Sequence, residues 1–195
     1  MKRSASVERR TTETDIALTL GLDGTGQVDI SSGIPFFDHM LTLFAVHGRF
    51  DLTLHARGDL EVDGHHTVED VGLVMGDALD QALADRRGIQ RYGHAVVPMD
   101  EALAAVTVDL SRRPFLVYAP PEPRDRGGPF DIHLAREFFR AFVNRGGLNL
   151  HIDLRYGENG HHMLEAVFKA FGRALDVAVA LDPRMAGVRS SKGIL

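Results

Sequence analysis

A short motif that occurs twice constrains this chain more than any other feature. In each copy, two adjacent histidines begin a run with helical periodicity, and a glutamate follows four residues after the first histidine. The copies are His65-His66-Thr67-Val68-Glu69 and His161-His162-Met163-Leu164-Glu165. Positions i and i+4 of an α-helix lie on the same face, so the first histidine and the glutamate of each copy can bind one metal ion. The repetition favours a metal site over an ordinary surface or core role for these histidines.

The residues before the motif are repeated as well. His39 lies in the first turn of a predicted helix, 26 residues before His65, and His133 lies in the first turn of another, 28 residues before His161. This near-equal spacing indicates an internal duplication, with halves at residues 1–93 and 94–195 that form one compact unit. We expect each half to be a small sheet with two helices, and the helices of the two halves to pack together. The predicted fold class is therefore α+β.

Apolar periodicity and turn residues predict the elements of each half. In the first half we expect strands at residues 11–20, 27–30, 50–56 and 60–62, and helices from Phe37 to Gly48 and from His65 to about Asp85. In the second half we expect strands at residues 95–97, 103–110, 114–118 and 148–154, and helices from Ile132 to Gly146 and from His161 to a stop at Pro183. Residues 1–6 and 184–195 are predicted to be tails, and residues 119–129 a loop rich in proline and glycine.

Composition excludes several classes of protein. The net charge of −5 argues against nucleic-acid binding, which needs a basic face. The chain has no cysteine, so disulfides and thiolate metal sites are excluded. No apolar run is long enough to span a membrane, and the first residues do not resemble a signal peptide. We therefore expect a cytoplasmic protein that does not bind membranes.

The paired histidines indicate two metal sites. Adjacent side chains on a helix point about 100° apart, so His65 and His66 cannot easily bind one ion from one helix face. A consistent solution joins His65 and Glu69 with His162 at one site.

The second site then joins His161 and Glu165 with His66, and His39 and His133 are divided between the two sites. Whether the halves that meet belong to one chain or to neighbouring chains stays open. Imidazole and carboxylate ligands suit Mn, Fe, Co, Ni or Zn.

The chain resembles the imidazoleglycerol-phosphate dehydratase family over essentially its whole length. Besides the two histidine motifs, the resemblance lies in Arg-Thr-Thr-Glu-Thr at 10–14, Gly-Ile-Pro-Phe-Phe-Asp-His at 33–39, Arg-Tyr-Gly at 91–93, Pro-Met-Asp-Glu at 98–101, Arg-Pro-Phe at 113–115 and Ser-Ser-Lys-Gly at 190–193. The resemblance implies two four-stranded sheets around a four-helix bundle. It also implies two Mn²⁺ ions per chain, shared between subunits, and a homo-oligomer of 24 chains.

The resemblance further implies a reaction: dehydration of imidazole glycerol phosphate to imidazole acetol phosphate in histidine biosynthesis, by metal-assisted imidazolate formation and elimination of water. Glu13 and Glu165 are the implied proton-transfer residues, and Asp100 is implied to position the substrate or the ligands. The implied phosphate-binding residues are Arg91, Arg113, Ser190 and Lys192. The implied metal ligands are His39, His65, His66, Glu69, His133, His161, His162 and Glu165.

The chain departs from the family pattern in two places. Arg112 stands where a small residue, usually glycine, precedes Arg113, which leaves open which arginine binds the phosphate. The tail reads Arg-Ser-Ser-Lys-Gly at 189–193 instead of Pro-Ser-Thr-Lys-Gly. We expect this tail to become ordered over the phosphate when substrate binds.

Two other functions fit parts of the pattern. The ligand set alone would also suit a dinuclear metallohydrolase. A non-catalytic protein could instead use the metals only to hold an oligomer together. That protein would have sites closed by protein ligands, with no exchangeable position for added imidazole.

Overall fold

The computed structural model describes residues 3–118, 120, 121 and 130–194, with only the backbone described at Ile132. The first half contains β1 (Ser4–Arg10), β2 (Thr14–Gly21), β3 (Val28–Ser31), α1 (Pro35–Gly48), β4 (Asp51–Gly58) and α2 (His65–Leu83). The second half contains β5 (Tyr92–Met99), β6 (Ala102–Asp109), β7 (Phe115–Tyr118), α3 (Ile132–Gly146), β8 (Asn149–Tyr156) and α4 (Gly160–Val179). Both halves therefore have the order β-β-β-α-β-α.

The two sheets have the same topology. Their strand orders are β1-β2-β4-β3 and β5-β6-β8-β7. In each sheet the first two neighbouring pairs are antiparallel and the last pair is parallel. The parallel strands β3 and β4 are connected through α1, and β7 and β8 through α3. This repeated topology confirms the predicted α+β duplication with a four-stranded sheet and two helices in each half.

The helices pack between the sheets. Helix α2 contacts β1 and β2, α4 contacts β5 and β6, and the halves meet where α1 packs against α4 and α2 against α3. Rings from both halves fill the centre, with the centroids of Phe44 and Phe171 4.9 Å apart and those of Phe139 and Phe168 5.1 Å apart. The α1–α4 crossing is close because Gly172 has no side chain, and a Cβ there would lie 2.3 Å from the Phe44 carbonyl oxygen.

Some predicted elements were wrong. Residues 4–6 are not a tail, since β1 begins at Ser4 and pairs with β2. Residues 60–62 form a turn instead of a strand, with the Val62 amide donating to the Asp59 carbonyl at 2.8 Å. The strand predicted to begin at residue 11 begins at Thr14.

Part of the predicted loop, Ala119 and residues 122–129, lies outside the described residues. The proposed boundary between residues 93 and 94 lies at the start of β5 and stays a prediction. None of the described helices is long and apolar enough to cross a membrane.

Candidate metal centre and substrate site

Three side chains of types that bind metals, from opposite halves, meet where α1 crosses α4. The Nε2 atoms of His39 and His161 lie 3.1 Å and 3.0 Å from Oε1 of Glu165. The ligand atoms of these three residues all lie within 4.8 Å of one another, the one such group of three among the described residues. We call His39, His161 and Glu165 the donor cluster. Both imidazoles are exposed, so the cluster is open on one side.

Local sequence explains how the cluster is positioned. Pro35 occupies the first turn of α1, where its missing N–H costs nothing, and His39 follows one turn later. Asn159 caps α4 by accepting hydrogen bonds from the amides of His161 and His162. The i, i+4 spacing then places Glu165 below His161 on one helix face, as predicted.

Lys169 holds the Glu165 carboxylate from the other side. Its Nζ donates to Oε2 at 2.5 Å and lies 3.3 Å from the Met99 sulfur. Burial alone would raise the pKa of Glu165, but hydrogen bonds from Lys169, His39 and His161 outweigh it and lower the pKa to about 2. Glu165 is therefore ionised at neutral pH and suited to bind a cation.

The first copy of the motif is arranged more loosely. Nε2 of His65 lies 3.4 Å from Glu69, whose other oxygen lies 3.9 Å from Arg140 on α3. His133 is exposed in the first turn of α3, where its amide donates to the N-cap residue Asp131. The described residues bring no third metal-binding side chain to His65 and Glu69 within one chain.

The second histidine of each motif faces a carboxylate through Nδ1. His66 Nδ1 lies 2.9 Å from Asp59 and 3.9 Å from Glu13. His162 Nδ1 lies 2.7 Å from Glu101, and its Nε2 lies 3.8 Å from Asp100.

These carboxylates change the pKa of both imidazoles. Hydrogen bonds to Asp59 and to Glu101 raise the pKa of His66 and of His162, respectively. Neither imidazole belongs to the donor cluster of its own chain. The predicted joining of His66 with Glu165 and of His162 with Glu69 therefore stays a prediction about neighbouring chains.

Two of the predicted phosphate-binding residues, Arg91 and Arg113, lie beside Asp109. Arg91 donates to both oxygens of Asp109, at 2.6 and 3.1 Å, and to the Arg189 carbonyl at 2.6 Å. Arg113 lies 3.6 Å from the same carboxylate, with an exposed side chain. The Arg189 contact brings the segment with Ser190 and Lys192 next to Arg91.

Arg112 is directed elsewhere. Its guanidinium donates to the Ala84 carbonyl at 2.5 Å and lies 3.4 Å from Asp80. Arg113 is therefore the arginine of this pair that lies beside Arg91. Arg112 has a φ of +58°, in the left-handed region that glycine adopts without a steric clash, which explains why a glycine suits this position.

Sequence reasoning missed three residues of this region. Lys169 could have been found, because it lies four residues after Glu165 on the same helix face. Asp59 and Glu101 gave no such signal, since their contacts with His66 and His162 depend on how loops at the sheet ends fold back onto the helices.

Comparisons with known proteins agree with this geometry. A family model described as Imidazoleglycerol-phosphate dehydratase matches residues 32–175. Proteins of that name from Pelobacter propionicus and Trichlorobacter lovleyi are 59% and 58% identical, over all of both chains in each case.

Solved structures agree as well. The crystal structure of imidazoleglycerol-phosphate dehydratase from Staphylococcus aureus is 40% identical with a TM-score of 0.79, covering 92% of this chain and 99% of that one. The structure of IGPD from Pyrococcus furiosus in complex with (S)-C348 is 35% identical with a TM-score of 0.85, covering 97% and 100%. The chain belongs to the imidazoleglycerol-phosphate dehydratase family.

Proposed function

We propose that the chain is a hydro-lyase of histidine biosynthesis that dehydrates imidazole glycerol phosphate to imidazole acetol phosphate. Family membership over the whole chain supports the reaction. The single structural observation that carries it is the donor cluster, in which two imidazoles and an ionised carboxylate converge from opposite halves of the duplication.

The donor cluster fits a divalent metal. Two Nε2 atoms and a carboxylate oxygen are a ligand set that Mn²⁺ accepts, and the open side leaves room for further ligands. We propose two Mn²⁺ ions per chain, one held by His39, His161 and Glu165 and the other by His65 and Glu69, to which His133 on the adjacent helix α3 would move closer when the ion binds. A bound Mn²⁺ would supply Lewis-acid polarisation of the substrate imidazole.

The carboxylates of the site are assigned different chemical roles. Glu165 is a poor proton acceptor at neutral pH because its pKa is about 2, which supports a ligand role for it over a general-base role. Glu13, in the turn between β1 and β2, has a half-exposed side chain 3.9 Å from His66 Nδ1, beside the metal site that His66 is proposed to complete. We therefore assign proton transfer to Glu13. Asp100, in the corresponding turn between β5 and β6, is also exposed and positions the substrate or the ligands.

The phosphate is assigned to Arg91, Arg113, Ser190 and Lys192. Arg91 is 8% exposed and fixed by Asp109, so its remaining N–H groups are already oriented before substrate arrives. Arg113 and Lys192 are exposed and can approach the phosphate from the solvent side.

The metal sites lack ligands within one chain, which supports an assembly of several chains. His66 and His162 are partly exposed and lie outside the donor cluster of their own chain. We propose that each completes a metal site of a neighbouring subunit, so that metal binding and assembly into a 24-mer in the cytoplasm are linked.

Metal content per chain and native mass, measured before and after a chelator, test this proposal together with a dehydratase assay. We expect close to two Mn²⁺ per chain, a large assembly that dissociates on chelation, and activity that returns with Mn²⁺. A stably monomeric or metal-free active enzyme would contradict the shared sites. Phosphate release from phosphoesters without dehydration would indicate a metallohydrolase.

A further inference from the structure

The second histidine of each motif has the same contact through the same ring nitrogen. His66 Nδ1 lies 2.9 Å from Oδ2 of Asp59, and His162 Nδ1 lies 2.7 Å from Oε2 of Glu101. Both distances are those of charge-assisted hydrogen bonds. In contrast, His39, His65 and His161 face their carboxylates through Nε2.

The two carboxylates do not occupy equivalent places in the duplication. Asp59 follows β4, whereas Glu101 lies in the turn between β5 and β6. The turn equivalent to that of Glu101 carries Glu13, which lies 3.9 Å from His66 Nδ1, beyond hydrogen-bond distance. The same contact is thus made twice from different positions, so the duplication alone does not account for it.

This contact determines which nitrogen can bind a metal. An imidazole that donates its Nδ1 proton to a carboxylate keeps a free lone pair on Nε2, and the hydrogen bond fixes both the tautomer and the ring orientation. We propose that Asp59 and Glu101 are positioning residues that hold His66 and His162 with Nε2 directed outward for a metal ion. The inference rests on the proposed function, in which these two imidazoles complete metal sites of neighbouring subunits.

The two carboxylate residues are anchored differently, Glu101 through its side chain and Asp59 through its backbone. Oε1 of Glu101 accepts hydrogen bonds from the amides of Glu158 and Asn159, at 3.2 and 2.8 Å, which leaves Oε2 for His162. The Asp59 amide donates to the Glu13 carbonyl at 3.1 Å. The residue that orients each imidazole is therefore attached to the sheet end before any metal binds.

The variants D59N and E101Q test this inference, with D63N as the matched control. Each replaces a carboxylate by an amide of the same shape. Asp63 lies near the same motif but accepts a hydrogen bond from the His65 amide instead of an imidazole, at 2.7 Å. Asparagine keeps that hydrogen bond, because its side-chain oxygen is also an acceptor.

The readouts are the Mn²⁺ dissociation constant and the Mn²⁺ content of each purified variant. For one of the two sites per chain we expect binding roughly 10- to 100-fold weaker in D59N and in E101Q, and wild-type binding in D63N. Circular dichroism of the metal-free variants checks that the fold is kept. If one of the two variants does not fold, the other still tests the inference.

A second readout reports the tautomer directly. In metal-free protein labelled with ¹⁵N-histidine, we expect the neutral His66 and His162 rings to carry their proton on Nδ1, and this preference to weaken in D59N and E101Q. Wild-type Mn²⁺ affinity in both variants, or equal loss in D63N, would overturn the positioning role while leaving the dehydratase proposal intact. A wild-type chain that dehydrates its substrate but binds no Mn²⁺ would overturn both the metal sites and the positioning role.

Discussion

Lys169 illustrates how one residue can serve the site without binding metal. Its ammonium forms an ion pair with Glu165 at the edge of the donor cluster and is only 15% exposed. Lys169 pairs with Oε2 of Glu165, whereas the two histidines face Oε1, so the ion pair can persist beside a bound metal ion, and we expect the other N–H groups of the ammonium to face an anionic substrate. Its contribution is then a charge-assisted hydrogen bond to the substrate.

We predict that K169M lowers kcat/KM strongly while Mn²⁺ content stays at the wild-type level or above. Loss of a hydrogen bond to a charged group costs about 1.5–3 kcal/mol, or roughly 10- to 150-fold in kcat/KM. Metal binding should not suffer, because removing a nearby positive charge reduces repulsion of a divalent ion. Steady-state kinetics and metal analysis measure the two effects.

R173M is the control for this variant. Arg173 lies one turn further along α4, is exposed, and carries the same charge. A similar loss of kcat/KM in R173M would mean that Lys169 acts only through the net charge of the helix.

At the scale of elements, the crossing of α1 and α4 determines whether the donor cluster exists. His39 comes from one helix and the other two members from the second, so their separation depends on how closely the helices approach. Gly172 permits that approach.

We predict that G172A destabilises the fold by about 1–3 kcal/mol, since overpacking at a tight contact forces the helices apart. Widening the crossing should also reduce Mn²⁺ content. Thermal unfolding of the metal-free chain and metal analysis test this. G187A is the matched control, because a Cβ at Gly187 has no neighbour within 4 Å. Wild-type stability and metal content in G172A would contradict the dependence on this crossing.

The C-terminal segment is a second element on which the site depends. Asp182 is 3% exposed and accepts hydrogen bonds from Arg184 and from Arg189, and the Arg189 carbonyl accepts one from Arg91. The segment before Ser190 is thus already fixed to the loop that carries Arg91, with the Gly88 amide bonded to the Gly187 carbonyl at 2.9 Å.

We predict that a chain truncated after Gly187 keeps its fold and metal but has a KM for substrate at least tenfold higher, since Ser190 and Lys192 are lost. R189A should show a smaller increase, because it frees the segment but keeps those two residues. R184A is the control. Arg184 also donates to Asp182 but does not belong to the segment that carries Ser190, so the KM of R184A should stay near the wild-type value. An unchanged KM in the truncated chain would remove this segment from the phosphate site.

The sequence predicted these elements unevenly, for physical reasons. The starts of α2 and α4 were predicted to within one residue because apolar periodicity and i, i+4 spacing are local. Strand β1 was missed because none of its residues is fully buried, so its apolar alternation is weak. The partner of His39 was left open because it depends on a helix crossing between halves, which the spacing of residues along the chain does not determine.

At the scale of the whole molecule, the proposed sharing of ligands between subunits has a specific consequence. One chain supplies the donor cluster and a neighbour supplies His66. The variant H66A lacks the histidine that a chain supplies to its neighbour, and H161A lacks a member of the donor cluster. Each variant should be inactive when assembled alone. In a mixed assembly, some sites combine the intact donor cluster of one variant with the intact His66 of the other.

We predict that H66A and H161A, mixed after chelation and reassembled with Mn²⁺, recover roughly a quarter of wild-type activity, since about one site in four receives two intact contributors in a random symmetric oligomer. H39A mixed with H161A is the control. Both remove members of the same donor cluster, so every site contains a damaged cluster and no activity should return. Recovery in neither mixture would contradict a site shared between His66 of one chain and the donor cluster of another, whereas recovery in both would mean that the cluster itself is assembled from two chains.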